Sequence, residues 1–211
     1  MHTTDAPDAK PTPSCDVDPD GWHLLARRVP SPNHGPRPAG AAPELIVVHA
    51  ISLPPGVYGG PQIEQLFTNT LDWEAHPYFQ QIRGLEVSSH FLIRRDGELV
   101  QFVPCERRAW HAGRSCWRGR PNCNDFSIGI ELEGLEGDPF EPDQYTVLAA
   151  LCQALRARYP TLVAVAGHEH IAPGRKRDPG PGFDWARLRA LTGWARDCFA
   201  DVDISPRNLA P

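Results

Sequence analysis

No stretch of this 211-residue sequence approaches the run of about 18 apolar residues that a membrane-crossing helix requires. The opening MHTTDAPDAKPTPSCDVDPD has neither a basic start nor an apolar segment, and a secretory signal needs both. The expectation is a cytoplasmic protein without membrane contact. No two cysteines have CxxC spacing. Cys15, Cys105, Cys116, Cys123, Cys152 and Cys198 are scattered, and in a reducing compartment all six are expected as free thiols. Cys116 and Cys123 are near enough in sequence to share a metal, but no neighbour completes a site. Excess positive charge is also missing. The formal net charge is −5, whereas nucleic-acid binders present a basic face, so nucleic acid is not an expected partner. Local basic residues (Arg118, Arg120 and the run Arg175-Lys176-Arg177) still suit a small anionic ligand. There is no internal repeat.

What is present fits one sizeable domain. Apolar residues make up 41% and charged residues 22%, as in ordinary globular chains. The 23 prolines and 18 glycines predict long, shaped loops rather than a helix bundle. Residues 1–20 are polar and proline-rich and read as a loose tail, residues 21–200 as the domain, and residues 201–211 as a second tail. Trp22, Leu24, Leu25 and Val29 are expected to anchor the start of the domain.

Residues 45–49 (LIVVH) form a short β-branched run ending in histidine, a buried strand. Residues 61–70 read as a helix with Ile63, Leu66 and Phe67 on one face, followed by irregular chain over 71–79. Asp96-Gly97 between two apolar runs (88–95 and 98–103) is a hairpin signal. Residues 104–124 are a long loop, of the kind that in compact domains carries function. Residues 126–132 (FSIGIEL) alternate, with Ile128, Ile130 and Leu132 on one face and Ser127, Gly129 and Glu131 on the other. Residues 143–159 repeat Tyr145, Leu148, Cys152, Leu155 and Tyr159 at helical steps between Pro142 and Pro160. Residues 162–166 are a last strand. Asp184 N-caps a final helix burying Trp185, Leu188, Leu191 and Cys198. The fold class is α/β: a mixed sheet of about five strands flanked by helices.

Chemistry concentrates in residues 167–185, GHEHIAPGRKRDPGPGFDW. A catalytic zinc takes three ligands from His, Asp, Glu or Cys, and His49, His168, His170 and Asp178 are the candidates. A buried histidine satisfied by a backbone carbonyl is the competing reading of His49. Spacing does not separate His168 from His170, because an extended His-x-His places both on one side. Glu131, on the polar face of its strand, is a candidate acid/base; Glu133 shares that face and competes, and a solvated strand edge is the plain alternative. Lys176 and Asp178 share a loop stiffened by Pro173, Pro179 and Pro181. A lysine there suits oxyanion support, and an ordinary exposed basic loop is its plain alternative.

Longer motifs stand in order along the chain: RRVPSP (27–32), IVVHAISLPPG (46–56), HFLIRRDGELVQFVP (90–104), RAWHAG (108–113), CNDFSIGIELEG (123–134) and GHEHIAPGRKRDPGPGFDWAR (167–187). With these the chain resembles the AmpD family of N-acetylmuramoyl-L-alanine amidases, within the amidase and peptidoglycan-recognition-protein fold. The resemblance runs from Trp22 to Trp194. It implies one zinc per chain held by His49, His168 and Asp178, with His170 outside the ligand set. It makes Glu131 the general base and acid and Lys176 the support of the transition state. It implies hydrolysis of the amide joining N-acetylmuramic acid, or its 1,6-anhydro form, to L-alanine of the stem peptide, by a monomer that acts on muropeptides in cell-wall recycling. Trp110 and His111 are expected to line the substrate cleft. Two positions depart from the family pattern. Ala50 stands where asparagine is common, and Asn122 where an arginine often holds a stem-peptide carboxylate; Arg120 is the nearby substitute. Two other readings are a peptidoglycan-binding module that does not cut, whose relatives in this fold typically lack a zinc ligand, and a periplasmic amidase acting on intact wall.

Overall fold

The computed structural model describes residues 16–203. In chain order its strands are β1 (Arg27–Arg28), β2 (His34–Pro36), β3 (Leu45–Ile51), β4 (Phe91–Ile93), β5 (Leu99–Gln101), β6 (Arg107–Ala109), β7 (Cys116–Trp117), β8 (Arg120–Pro121), β9 (Ser127–Glu133) and β10 (Ala164–Gly167). Its helices are α1 (Gln62–Phe67), α2 (Pro77–Gln81), α3 (Pro142–Arg158), α4 (His168–Ile171) and α5 (Trp185–Thr192). Six strands form the main sheet in the order β1-β5-β4-β9-β3-β10. Every neighbouring pair is parallel except β4–β5, the hairpin around Asp96-Gly97.

The centre of the sheet is β3 and β9. Along β3, Ile46 and Val48 turn to one face and Leu45 and Val47 to the other, and both faces are buried. A parallel central strand covered on both sides reads as an unbroken apolar run, which is why the sequence shows no alternation there. On the first face Ile128, Ile130 and Leu132 of β9 meet Leu148, Cys152 and Leu155 of α3 and Trp185 and Leu188 of α5. Truncating Leu148, which is fully buried, to alanine would cost about 2–5 kcal/mol. Helix α3 begins with a capping box: the Glu141 backbone N–H donates to Gln144 Oε1 at 2.9 Å. Asp184 caps α5 as expected, accepting from the Arg187 N–H at 2.9 Å.

Several expectations change. The sheet has six strands because Arg27–Arg28 adds a two-residue edge beside β5. The loop over 104–124 contains β6, which pairs with β2, and the small β7–β8 ribbon. A short helix, α2, starts inside the segment expected to be irregular. Leu191 is exposed, and Cys198 is buried not by α5 but by the 3₁₀ turn Arg196–Phe199 that follows. Leu24 and Leu25 are also exposed; of the expected anchors Val29 packs against the buried cluster around Phe67 and Phe102 and Trp22 is half-buried, and Val17, buried and bridging His23, joins them. Within the expected tail Val17 is thus buried, while residues 1–15 and 204–211 lie outside the described region. Five of the six cysteines are free thiols, and Cys15 lies outside that region. Among the described residues no helix is long and apolar enough to cross a membrane.

Candidate metal centre

The site lies at the carboxyl ends of three adjacent parallel strands, where open α/β sheets characteristically carry their ligands. Register puts Glu131 of β9 directly opposite His49 of β3. On the other side of β3, Val48 pairs with Gly167, the last residue of β10, so His168 follows level with His49. Because Val48 faces α3, His49 faces the opposite side of the sheet. Asp178 arrives on the loop after α4, tied down by a hydrogen bond from the Glu169 N–H to its carbonyl at 2.9 Å.

Three donor atoms meet there. His49 Nδ1 and His168 Nδ1 are 3.0 Å apart, and Asp178 Oδ2 lies 3.2 Å from the first and 3.1 Å from the second. Both histidines are buried. Burial, with His168 beside it, pulls the His49 pKa down to about 4, so the ring is neutral at neutral pH. Burial raises the Asp178 carboxyl, and only a hydrogen-bond donor or positive charge at the His168 and His49 positions brings it down. The tautomer of His168 follows from its other nitrogen: Nε2 lies 3.1 Å from the Ala112 carbonyl, to which it donates. Its Nδ1 therefore carries a lone pair aimed at an ionised carboxylate 3.1 Å away. Two acceptors at that distance need a cation between them. Two imidazoles and a carboxylate are a donor set that suits zinc.

Glu131 is almost fully buried, and its Oε2 has no hydrogen-bond partner among the described residues. Burial first, and the Asp178 charge second, push its pKa well above the ordinary carboxylate value, with Lys176 opposing. An unpartnered carboxyl oxygen with raised proton affinity, facing an open cleft, is equipped to exchange protons. Glu133 is not: its Oε1 accepts from Arg94 at 2.9 Å and from the Gly59 N–H at 2.7 Å. Lys176 is exposed at the cleft wall. His170, the spacing-level rival of His168, accepts the Gly167 N–H on Nδ1 at 2.9 Å and packs edge-on against Trp185. It holds the turn that aims His168.

The cleft has a volume of about 420 Å³, and Trp110 lines it. His111 also borders it, but both ring nitrogens are engaged inside the protein, Nδ1 with His49 and Nε2 with Ser127. Arg120 and Asn122 do not reach the cleft. Arg120 pairs with Glu44 at 2.5 Å and stacks on Phe126, while Asn122 takes a left-handed corner ahead of the 3₁₀ turn Cys123–Asp125. Two contributors were not foreseen. Asn124 Oδ1 accepts the backbone N–H groups of both His111 and Ala112, and Arg175 donates to the carbonyl of Ala112 at 2.6 Å. Both stand in quoted motifs, yet only the fold reveals that they brace the segment touching His168 and His49.

A His, His, Asp set beside a buried carboxyl group is the arrangement used by metal-dependent hydrolases. Comparison with known proteins agrees. Residues 39–181 match the family described as N-acetylmuramoyl-L-alanine amidase. The 1,6-anhydro-N-acetylmuramyl-L-alanine amidase AmpD of Citrobacter freundii is 59% identical over 173 residues, 82% of this chain and 92% of that one. A crystal structure of a selenomethionine AmpD derivative superposes with a TM-score of 0.81 at 58% identity, over 83% of this chain and 98% of the other. The amidase AmiD from E. coli, in complex with the substrate anhydro-N-acetylmuramic acid-L-Ala-D-γ-Glu-L-Lys, has a TM-score of 0.51 and 31% identity, over 83% of this chain and 65% of that one. The chain belongs to the N-acetylmuramoyl-L-alanine amidase family.

Proposed function

We propose that this amidase hydrolyses the amide between 1,6-anhydro-N-acetylmuramic acid, or its reducing-end form, and L-alanine of the stem peptide, using one zinc held by His49, His168 and Asp178. The observation that carries this reading is the meeting of three donor atoms within 3.2 Å, on two buried histidines and the half-buried Asp178, one strand away from the unpartnered oxygen of Glu131. The names of the relatives above point to the same substrate class.

Zinc bound there would polarise the scissile carbonyl and acidify an attacking water. The residues supply the rest. Glu131 takes the proton of the attacking water and returns it to the alanine nitrogen as the C–N bond breaks. One carboxyl group thus serves first as base and then as acid, and a high proton affinity suits both roles. Lys176 places an ammonium at the cleft wall, where it offsets charge developing on the carbonyl oxygen. Trp110 offers a flat apolar face to the sugar or the first peptide unit.

The test is a parallel assay of the purified protein on an anhydromuropeptide, a muropeptide with an intact reducing end, and whole sacculi, reading free stem peptide by mass spectrometry. The proposal expects rapid release from the first, measurable release from the second and little from sacculi. Sacculi cleaved as fast as the soluble substrates would point to a wall-degrading amidase instead.

A further inference from the structure

A chain of hydrogen bonds runs from the cleft into the sheet behind His49. His49 Nε2 lies 2.9 Å from His111 Nδ1, and His111 Nε2 lies 3.1 Å from Ser127 Oγ. The Ser127 hydroxyl donates to the Cys123 carbonyl at 2.6 Å. That last bond sets the direction of the others. With its single proton given to Cys123, Ser127 is an acceptor toward His111. His111 therefore carries its proton on Nε2 and presents a lone pair on Nδ1. His49 must then donate from Nε2, which leaves its Nδ1 free of a proton, on the side where His168 and Asp178 converge. We infer that His111 and Ser127 are positioning residues that lock His49 in its Nε2-protonated tautomer and so prepare Nδ1 to bind the metal.

The packing supports a built relay. His111 and Ser127 are buried. The His111 ring lies flat over Gly129, where an added Cβ would come within 2.5 Å of the ring. Glycine is thus required at the middle of β9 for the imidazole to lie beneath His49. Asn124 fixes the His111 backbone from the other side, accepting its N–H at 3.1 Å. His168 has its own lock, the Ala112 carbonyl, so the two imidazole ligands are oriented by separate means.

This inference rests on the reading of His49 as a zinc ligand, and the experiment separates the two. Zinc affinity of the full chain is measured by competition with a chromophoric chelator for the wild type, Ser127→Ala, His111→Phe and His111→Gln, with circular dichroism confirming that each folds. The His49 tautomer is read from ¹⁵N–¹H spectra of metal-free and zinc-loaded protein. Losing an outer hydrogen-bond partner of a metal ligand typically weakens metal binding by about 10–100-fold, and that loss is expected for Ser127→Ala and His111→Phe. His111→Gln, whose side-chain carbonyl can accept from His49, should lose less than His111→Phe. The metal-free wild type should show His49 protonated on Nε2, and Ser127→Ala should show a rise in the Nδ1-protonated form. Should His111→Phe fail to fold, Ser127→Ala and the wild-type spectrum decide. Unchanged zinc affinity in Ser127→Ala, or a wild-type His49 protonated on Nδ1, would overturn this inference alone. A wild type that binds no zinc would overturn the metal reading and this inference together.

Discussion

Glu131 and His49 face each other across two parallel strands, in register, and point into the same cleft. One brings a carboxyl group with raised proton affinity and the other a neutral imidazole. Strand pairing thus fixes the spacing between the proposed proton carrier and the proposed metal ligands more rigidly than a loop would.

Changing Glu131→Gln should therefore leave zinc content at one per chain and lower kcat by roughly 10²–10⁴-fold, the usual share of a positioned acid/base. Zinc analysis and steady-state kinetics on the same sample check this. Full activity in Glu131→Gln would remove the residue from proton transfer.

Glu133→Ala should behave in the opposite way. It leaves the Arg94 guanidinium, itself largely buried, without one of its two close carboxylates. Breaking such a pair costs about 3–5 kcal/mol, and the remaining contact with Glu64 puts the expectation at the low end. Urea denaturation should show the loss, while zinc affinity and kcat of the folded fraction stay close to wild type. A large fall in kcat without loss of stability would reassign the acid/base role to Glu133.

His49→Ala, His168→Ala and Asp178→Ala should each lose tightly bound zinc and, with it, hydrolysis. Elemental analysis after desalting measures this directly. Stoichiometric zinc retained by any one variant would take that residue out of the ligand set. His170→Ala should keep zinc, since its ring contacts Gly167 and Trp185 rather than the donor cluster.

The pH dependence of stability has a predictable sign. His90 is fully buried; its Nδ1 accepts the Gly129 N–H and its Nε2 faces the Arg107 carbonyl. Burial, and then the nearby Arg37 charge, hold its pKa well below the ordinary 6.5. The unfolded chain takes up a proton at this residue below about pH 6.5 while the folded chain does not. Stability should therefore fall as the pH is lowered through that value, by about 1.4 kcal/mol per pH unit for each such histidine. Urea titrations of metal-free protein between pH 7.5 and 5.5 check it, and His90→Gln should show a shallower slope. A stability that rises on acidification in this window would contradict the assignment of His90 as neutral.

Much of the fold was legible because its central elements obey simple periods. The 3–4 spacing from Tyr145 to Leu155 and the alternation of Ile128, Ile130 and Leu132 both face the same core. A histidine closing an otherwise apolar strand was legible as a candidate ligand for a related reason: it ends a buried run where a polar group needs a partner. Other features have no local signature. A two-residue edge such as Arg27–Arg28 is made by β5, not by its own sequence, and α4 is a single turn braced by the His170 ring. Closeness in sequence to Asn122 says nothing about where Arg120 points, and its carboxylate partner, Glu44, is distant in the chain. His111 borders the cleft as expected, but its bonds to His49 and Ser127 have no local signature, because those partners come together only once β3 and β9 pair.

A metal at His49, His168 and Asp178 is proposed to be needed to cut the muramyl–alanine amide. The direct measurement is peptide release from anhydromuropeptide by as-purified protein, by the same protein stripped with chelator, and after one equivalent of zinc is returned. Activity, its loss, and its recovery at a single zinc per chain are the expected results. Full activity in the stripped, metal-free protein would contradict that requirement.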